Sequence, residues 1–341
     1  PFQISSVRQF KKLATDIALL GSTEATYQKY FELTADLDFL ADNTVTNTLI
    51  GAFYGTFDGK GHLIKDLNID GTGKASISLF GELSYGEIKN LGREGGSITD
   101  TDATPIVMAG GIIYSMRNGG KLKNCYNSSS IVNTRLGSGL VGVWAMIGGS
   151  IENCYNTGNI AAKEFIGGLT ASALGGGGNI SVTNCYNFGD VTGGNRYSIG
   201  GLIGLFNDSN GNKQTLNANN VFNFGSVSSP NATASFGRIG SILGSMNETN
   251  SALVEINATN VYSRPDVAST NNGTTNKFNR PIGWGSTAGE TLKNAILAAN
   301  PTLGEDLKYT LEYGKSTDFV TELGGAFKYA PGRTPKLAWE R

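Results

Sequence analysis

The tetrapeptide NCYN occupies residues 124–127, 153–156 and 184–187, and these three copies contain all three cysteines of the chain. Weaker copies continue the series at 220–223 (NVFN) and 260–263 (NVYS), and 90–93 (NLGR) begins it. The copies recur at intervals of roughly 30 to 40 residues, a spacing typical of solenoids and propellers. A metal site, a disulfide framework and a repeating backbone are the three interpretations to separate.

Two further short apolar runs accompany each tetrapeptide. A Gly-bounded run precedes it, in SLFGEL (78–83), GGIIYS (110–115), SGLVGV (138–143), GGLTAS (167–172), GGLIGL (200–205) and GSILGS (240–245). A third run follows it, in GNIAAK (158–163), GDVTGG (189–194) and GSVSSP (225–230). A propeller blade needs four antiparallel strands, whereas three runs per unit fit the coil of a parallel β-helix. We therefore predict an all-β fold, a right-handed parallel β-helix (solenoid), because crossovers between parallel strands are right-handed.

The first Asn of each copy is expected at a corner of the coil. Asn tolerates the left-handed conformation, and stacked Asn amides can hydrogen-bond to one another. The predicted ladder consists of Asn90, Asn124, Asn153, Asn184, Asn220 and Asn260. The next position accepts Leu, Cys and Val, which indicates an apolar interior slot filled by Leu91, Cys125, Cys154, Cys185, Val221 and Val261.

The cysteines are predicted to be buried, stacked and reduced. A zinc site needs converging ligands such as CxxC pairs, and these single cysteines have no local partner. Parallel Cβ atoms in neighbouring coils are too far apart for a disulfide without distortion. The tetrapeptide is therefore interpreted as backbone architecture, and no metal or cofactor is expected.

The two ends of the chain are predicted to cover the open edges of the solenoid. Ser6 and Gln9 have capping-box spacing at the start of a helix that ends at Gly21. The apolar stripe of this helix comprises Val7, Phe10, Leu13, Ala14 and Ile17. A strand is expected at 29–39, a second helix at 290–300, and strands at 306–313 and 335–340. The predicted regions are an N-terminal cap of helix and first strand (1–40), a repeat region (41–269) and an α+β C-terminal cap (270–341).

Charge and hydropathy exclude two classes of partner. Charged residues are 16% of the 341 residues, and the net charge is −1. This balance argues against nucleic acid or an anionic membrane held by bulk electrostatics. No window approaches 18 uninterrupted apolar residues, so no transmembrane segment is expected. The chain starts PFQISSV without Met or a basic leader, which we interpret as a mature or trimmed chain from which any targeting signal is missing.

Several segments resemble the GLUG-motif repeat proteins of bacterial cell surfaces. GLVG (139–142) and GLIG (201–204) match the Gly-Leu-hydrophobic-Gly motif, whereas SLFG, GIIY, GLTA and SILG depart from it. YGTFDGKGHLIKDLNI (54–69) resembles the segment that opens such regions, and STDFVTELGG (316–325) with PKLAWE (335–340) resembles their close. The resemblance implies an adhesin-like, secreted or surface-attached bacterial protein. Some such regions adjoin the peptidase unit of immunoglobulin-cleaving metalloproteases.

The residues offer little for catalysis. His62 is the only histidine, which excludes an HExxH site or any two-histidine site within this chain. Acidic residues are sparse between Ala103 and Val261, and the denser N-terminal set is interpreted as solvated turns: Asp36, Asp38, Asp58, Asp66 and Asp70. We predict a non-catalytic scaffold that binds a glycan or glycoprotein. The alternatives are a polysaccharide lyase or glycoside hydrolase acting on a β-helix face, and a pure spacer.

An aromatic follows the interior slot in five copies, at Tyr126, Tyr155, Tyr186, Phe222 and Tyr262. Strand alternation turns these rings outward if the slot residue points inward. A column of exposed rings could stack on sugar rings while its hydroxyls form hydrogen bonds, so we predict these residues as the ligand-binding site. The alternatives are that the rings stack on each other, lie beneath loops or turn inward.

Overall fold

The computed structural model describes residues 1–20, 26–42, 44–103, 107–145, 147–175, 177–194, 198–208, 211–229, 238–246, 253–264, 270–271, 274–275, 281–283 and 287–341. These residues form a parallel β-helix with small caps, which confirms the predicted fold class. Its coils stack in parallel register, as in the pairs Cys185–Val221, Tyr186–Phe222 and Asn187–Asn223. No helix of the described residues is long and apolar enough to cross a membrane.

Four parallel sheets form the faces of the β-helix. Sheet A contains Phe2–Ile4, Tyr30–Leu33, Leu37–Asp38, Thr56–Lys65, Glu87–Glu94, Lys121–Lys123, Tyr126–Asn127, Gly149–Glu152, Tyr155–Asn156, Gly178–Asn187, Gln214–Asn223, Val254–Ser263 and Leu303–Glu305. Sheet B contains Thr44–Val45, Asn68–Asp70, Ser97–Thr99, Ser130–Thr134, Ile160–Ala162, Val191–Gly193 and Val227–Ser228. Sheet C contains Ile50–Phe53, Phe80–Ser84, Ile113–Arg117, Val141–Ala145, Thr170–Gly175, Ile203–Asp208 and Leu243–Met246. Sheet D contains Ser76–Ile77, Met108–Gly110, Leu136–Ser138, Ile166–Gly167, Ser198–Gly200 and Arg238–Gly240.

Each coil passes through sheets C, A, B and D in that order and therefore has four strands. The prediction of three strands per coil is wrong, because it omits one strand. The omitted strand is the one in sheet D. It is short and adjoins the Gly-bounded run, so the sequence shows the two strands as one run although the chain turns sharply between them. A Cβ on Gly201 would lie 2.1 Å from the carbonyl oxygen of Ser241, and one on Gly204 would lie 2.4 Å from that of Ala171. Only glycine fits these approaches, which gives the Gly-Leu-hydrophobic-Gly pattern a steric cause.

The cysteines lie inside the coil as predicted. Cys125, Cys154 and Cys185 are free and fully buried. The backbone N–H of Cys125 lies 3.4 Å from Sγ of Cys154, and that of Cys154 lies 3.4 Å from Sγ of Cys185. Burial raises the pKa of the Cys154 and Cys185 thiols well above the ordinary value, so both stay protonated.

The predicted asparagine ladder is confirmed. Each corner Asn has a positive φ, between 51° at Asn90 and 54° at Asn220. Each Nδ2 donates to the Oδ1 of the preceding coil across 3.0 to 3.1 Å. The ladder ends where Asn90 Nδ2 donates to Asp58 Oδ1 at 2.9 Å. All its N–H groups therefore point toward the N-terminal coils, where a carboxylate accepts the last of them.

A second, inner ladder was not predicted. It is formed by Asn127, Asn156, Asn187 and Asn223, the last residue of each tetrapeptide, and all four are fully buried. The Nδ2 of each of the first three donates to the Oδ1 of the following coil at 2.9 Å, which is the opposite direction, and Asn223 Nδ2 donates to the Ser241 carbonyl. Arg93 occupies the equivalent position one coil before Asn127. The register position before the first Asn of the inner ladder therefore holds a buried arginine.

Asp58 should make the fold sensitive to acid. Burial favours its neutral form, but hydrogen bonds from Tyr30, Asn90 and Lys60 outweigh this effect and hold its pKa below the usual value. Its stabilisation is fully present above the unfolded pKa of about 3.9 and is lost as the pH falls through the lower folded pKa. Urea unfolding below about pH 4 should therefore show a shallower loss of stability for Asp58→Asn than for the wild type. Equal pH slopes for the two proteins would contradict this role.

Helices cover the two ends of the β-helix. Helix α1 (Val7–Leu20) buries Phe10, Leu13 and Ile17, as its stripe predicted, and its first turn is capped by Ser6 Oγ. The predicted end at Gly21 lies outside the described residues. Helix α2 (Thr287–Ala299) confirms the predicted helix at 290–300.

The segment after α2 differs from the prediction. The expected strand at 306–313 is wrong, because these residues form turns that lead into a 3-10 helix at Tyr313–Lys315. Helix α3 (Thr317–Leu323) was not predicted. A hairpin of Phe327–Lys328 and Lys336–Leu337 contains the strand expected near 335–340. We call residues 306–341 the C-terminal strap, because they pack along the outer side of sheet A.

Candidate functional site

The aromatic column exists and points away from the coil interior. Tyr126 stacks on Tyr155 with ring centroids 4.8 Å apart, and Tyr155 stacks on Tyr186 at the same distance. Phe222 and Tyr262 continue the column with centroids 6.5 Å apart. These rings form an apolar cluster with the strap that is separate from the core inside the coil.

The predicted exposure of this column is wrong. Tyr126 and Tyr155 are only 2% and 4% exposed, Tyr186 and Phe222 are fully buried, and Tyr262 is half-buried. The strap covers the rings with Tyr309, Phe319, Leu323, Phe327 and Leu337. The column therefore holds the strap to the β-helix and offers no open platform for a sugar.

The tyrosine hydroxyls are also engaged. Tyr155 donates to the Glu340 carboxylate at 2.8 Å, and Tyr186 donates to the carbonyl of Pro335. Tyr309 of the strap donates to Glu322 at 2.7 Å. The hydroxyls of Tyr155 and Tyr186, which were expected to bind a ligand, therefore bind the strap.

An open cleft remains at the N-terminal end of the column, where the rings stop. Gly92 takes the ring position one coil before Tyr126, and a Cβ there would lie 2.5 Å from Tyr126 Cε1. The cleft has a volume of about 160 Å³. Its apolar side consists of Gly61, Leu63, Tyr126 and Trp339, and its charged side consists of Asp36, Glu94, Lys336, Glu340 and Arg341.

Trp339 forms one wall of the cleft. Its ring stacks on Tyr126 with centroids 5.7 Å apart, and its Nε1 donates to the Asn124 carbonyl at 3.2 Å. The same ring packs over Gly61, where a Cβ would lie 3.2 Å from Trp339 Cε3 and where the φ of +79° favours glycine. Trp339 is half-buried and lines the cleft.

Asp36 is one of the three acidic side chains that line the cleft. Its oxygens accept hydrogen bonds from Lys65 Nζ at 2.7 Å and from the Leu63 backbone N–H at 3.2 Å, and Oδ1 lies 3.2 Å from His62 Nδ1. Burial alone would raise the pKa of Asp36, but these contacts outweigh burial and lower it. Asp36 therefore carries its charge at neutral pH and is already paired.

Glu340 has the opposite environment. It is 4% exposed, and burial raises its pKa despite hydrogen bonds from the Leu337 N–H and the Tyr155 hydroxyl. The Lys336 ammonium lies 3.9 Å from Glu340 Oε2. One cleft thus contains two carboxyl groups whose pKa values are displaced in opposite directions.

The described residues contain no group of three His, Cys, Asp or Glu side chains that could hold a metal ion. The cleft itself was not predicted, although two signals for it were present in the sequence. It joins the FDGKGH turn to the PKLAWE segment, the two stretches that resemble the opening and close of GLUG regions. Asp36 was interpreted as part of a solvated turn, because the strap that closes over it is far away in sequence.

Comparisons with known proteins support the fold. No protein-family model matches the chain. Halomucin of Haloquadratum walsbyi is 26% identical over 156 residues, which is 42% of this chain but 2% of halomucin. A crystal structure described as a "putative immunoglobulin A1 protease from Bacteroides ovatus" aligns with a TM-score of 0.64 and 20% identity, covering 100% of this chain and 93% of the other. A second structure, named IgA1 Protease, covers 77% of this chain and 21% of its own, with a TM-score of 0.44 and 14% identity. The Bacteroides ovatus protein has the same fold as this chain along its whole length.

Proposed function

We propose that this chain is a non-catalytic, secreted or surface-attached bacterial protein of the GLUG-repeat type that binds a glycan or glycoprotein. The observation that carries this proposal is the cleft, which combines a half-buried tryptophan with carboxylates and a lysine. Sugars are bound in this way, because aromatic faces stack on their apolar sides while charged groups accept and donate hydrogen bonds.

Two further observations support the proposal. Stacked coils tied by two amide ladders make a rigid body, which suits display of a binding site outside the cell. The names of the similar proteins, a mucin and an immunoglobulin protease, agree with an extracellular setting and a glycoprotein partner. The Gly-Leu-hydrophobic-Gly segments at the sheet D corners agree with the GLUG type.

Retention of the protein on a panel of immobilised polysaccharides and mucins tests the proposal. Trp339→Ala should weaken retention about tenfold or more, because stacking of an aromatic ring on the ligand is lost. Tyr329→Ala is the matched control, since Tyr329 lies in the same strap, is 43% exposed and does not line the cleft. Circular dichroism establishes that both variants are folded. Equal retention of the two variants, or none by the wild type, would overturn the proposal.

A carbohydrate-active enzyme is the second candidate, favoured by the opposite displacement of the Asp36 and Glu340 pKa values. Glycosidases use one carboxyl group as an acid and another as a base or nucleophile, and environment separates their pKa values. The same incubations should therefore be assayed for new reducing or unsaturated ends. Release that disappears in Glu340→Gln would establish the enzyme and contradict the non-catalytic function.

A further inference from the structure

The carboxylates of the cleft differ in how many hydrogen-bond and ion-pair partners they have. Asp36 is paired with Lys65, and Glu340 accepts hydrogen bonds from Tyr155 and Leu337. Glu94 Oε1 accepts a hydrogen bond from the Tyr126 hydroxyl. Its Oε2 receives no hydrogen bond from the described residues, and none of their basic nitrogens pairs with it. Glu94 is half-buried at the cleft wall, so this oxygen can receive a donor from a ligand.

The nearby cations are held by other groups. Lys65 Nζ lies 2.7 Å from Asp36 Oδ2. Lys336 Nζ lies 3.9 Å from Glu340 Oε2 and donates to the Arg341 carbonyl at 3.4 Å. The Arg341 side chain lies on the exposed rim. Lys65 and Lys336 are therefore held away from the free carboxylate oxygen of Glu94.

We propose that the cleft selects glycans with a free ammonium group, that is, N-unsubstituted amino sugars, and that Glu94 accepts the ammonium. This inference rests on the proposed function, in which the cleft binds a glycan. A charge-assisted hydrogen bond forms between the ammonium and Glu94 Oε2. The half-buried Trp339 lines the same cleft, and its ring can attract a cation. N-acetylation removes the charge, and a uronic acid is repelled by the carboxylates.

Titration calorimetry with three tetrasaccharides tests the inference: fully deacetylated glucosamine, N-acetylglucosamine and glucose. The glucosamine tetramer should bind the wild type at least about tenfold more tightly than the other two, because only it forms the charged hydrogen bond. Glu94→Gln should reduce this preference to near unity, since the amide can still accept the Tyr126 hydrogen bond but carries no charge. Glu164→Gln is the control, as Glu164 pairs with Arg135 away from the cleft.

The outcomes separate this inference from the proposed function. Equal binding of charged and neutral tetramers overturns the selection for ammonium and leaves glycan binding intact. A preference for glucosamine that persists in Glu94→Gln also overturns the inference, because the ammonium would then be bound elsewhere. No binding of these tetramers, with retention on other glycans, overturns the inference alone. Absence of binding to every glycan defeats both.

Discussion

Arg93→Met is expected to lower the free energy of unfolding by about 2–4 kcal/mol, because buried carbonyls lose their donor. The guanidinium is fully buried and donates to the carbonyls of Gly111 at 2.8 Å and Leu67 at 3.1 Å. Methionine retains the apolar volume but offers no hydrogen-bond donor. Each unsatisfied carbonyl costs about 1–3 kcal/mol.

Removing a buried charge also has a favourable side, since it relieves the cost of desolvation. The surroundings of the guanidinium reduce that relief. It donates to the backbone carbonyls of Gly111, Leu67 and Ser97. Burial lowers the Arg93 pKa to about 9, so the side chain is still charged at neutral pH. The loss of hydrogen bonds should therefore exceed the gain from removing the charge.

Arg135→Met is the matched control for this experiment. Arg135 is 46% exposed and lies 2.7 Å from Glu164, so its removal should change stability by at most about 1 kcal/mol. Urea titrations of the two variants and the wild type measure both effects. If Arg93→Met unfolds at the same urea concentration as Arg135→Met, the carbonyls around Arg93 are satisfied by other donors and the argument fails.

The repeat made much of the fold predictable from sequence. Equivalent residues stack in a solenoid, so the spacing of Asn124, Asn153 and Asn184 was enough to place the corner ladder and the cysteine slot. The inner ladder uses the last Asn of the same tetrapeptide, but its burial depends on how sharply the coil bends there. Sheet D was missed because its strands are two or three residues long and merge with the next run.

The site was predictable only in part. Alternation correctly turned Tyr155 out of the coil, but its cover comes from Glu340, 185 residues later in the chain. No local pattern records such a contact. The glycine at position 92 did mark the end of the column, and with it the place where a cleft could open. The apolar residues Phe319, Leu323 and Phe327 needed a partner surface, and the column of rings provides it.

Phe319→Ala is expected to destabilise the protein by about 3–5 kcal/mol, because a fully buried ring leaves a cavity that its rigid neighbours cannot fill. The ring contacts Phe222, Phe224 and Tyr186 with centroids 5.0, 4.9 and 5.9 Å away. These neighbours belong to two successive coils, so Phe319 fixes α3 of the strap to the column.

Urea unfolding measures the loss in Phe319→Ala, and limited proteolysis shows whether cleavage begins in the strap. The matched control is again Tyr329→Ala, whose ring is 43% exposed and should contribute less than about 1 kcal/mol. Binding of a hydrophobic dye should rise only in Phe319→Ala, since loosening the strap uncovers Tyr186 and Phe222. Glycan retention should weaken as well, because the strap also positions Trp339 and Glu340 at the cleft. If the argument is right, Phe319→Ala is less stable and less protease-resistant than Tyr329→Ala. Equal stability and resistance would show that packing of Phe319 on the column does not hold the strap. The hairpin of Phe327–Lys328 and Lys336–Leu337 would then hold the strap at the cleft without α3.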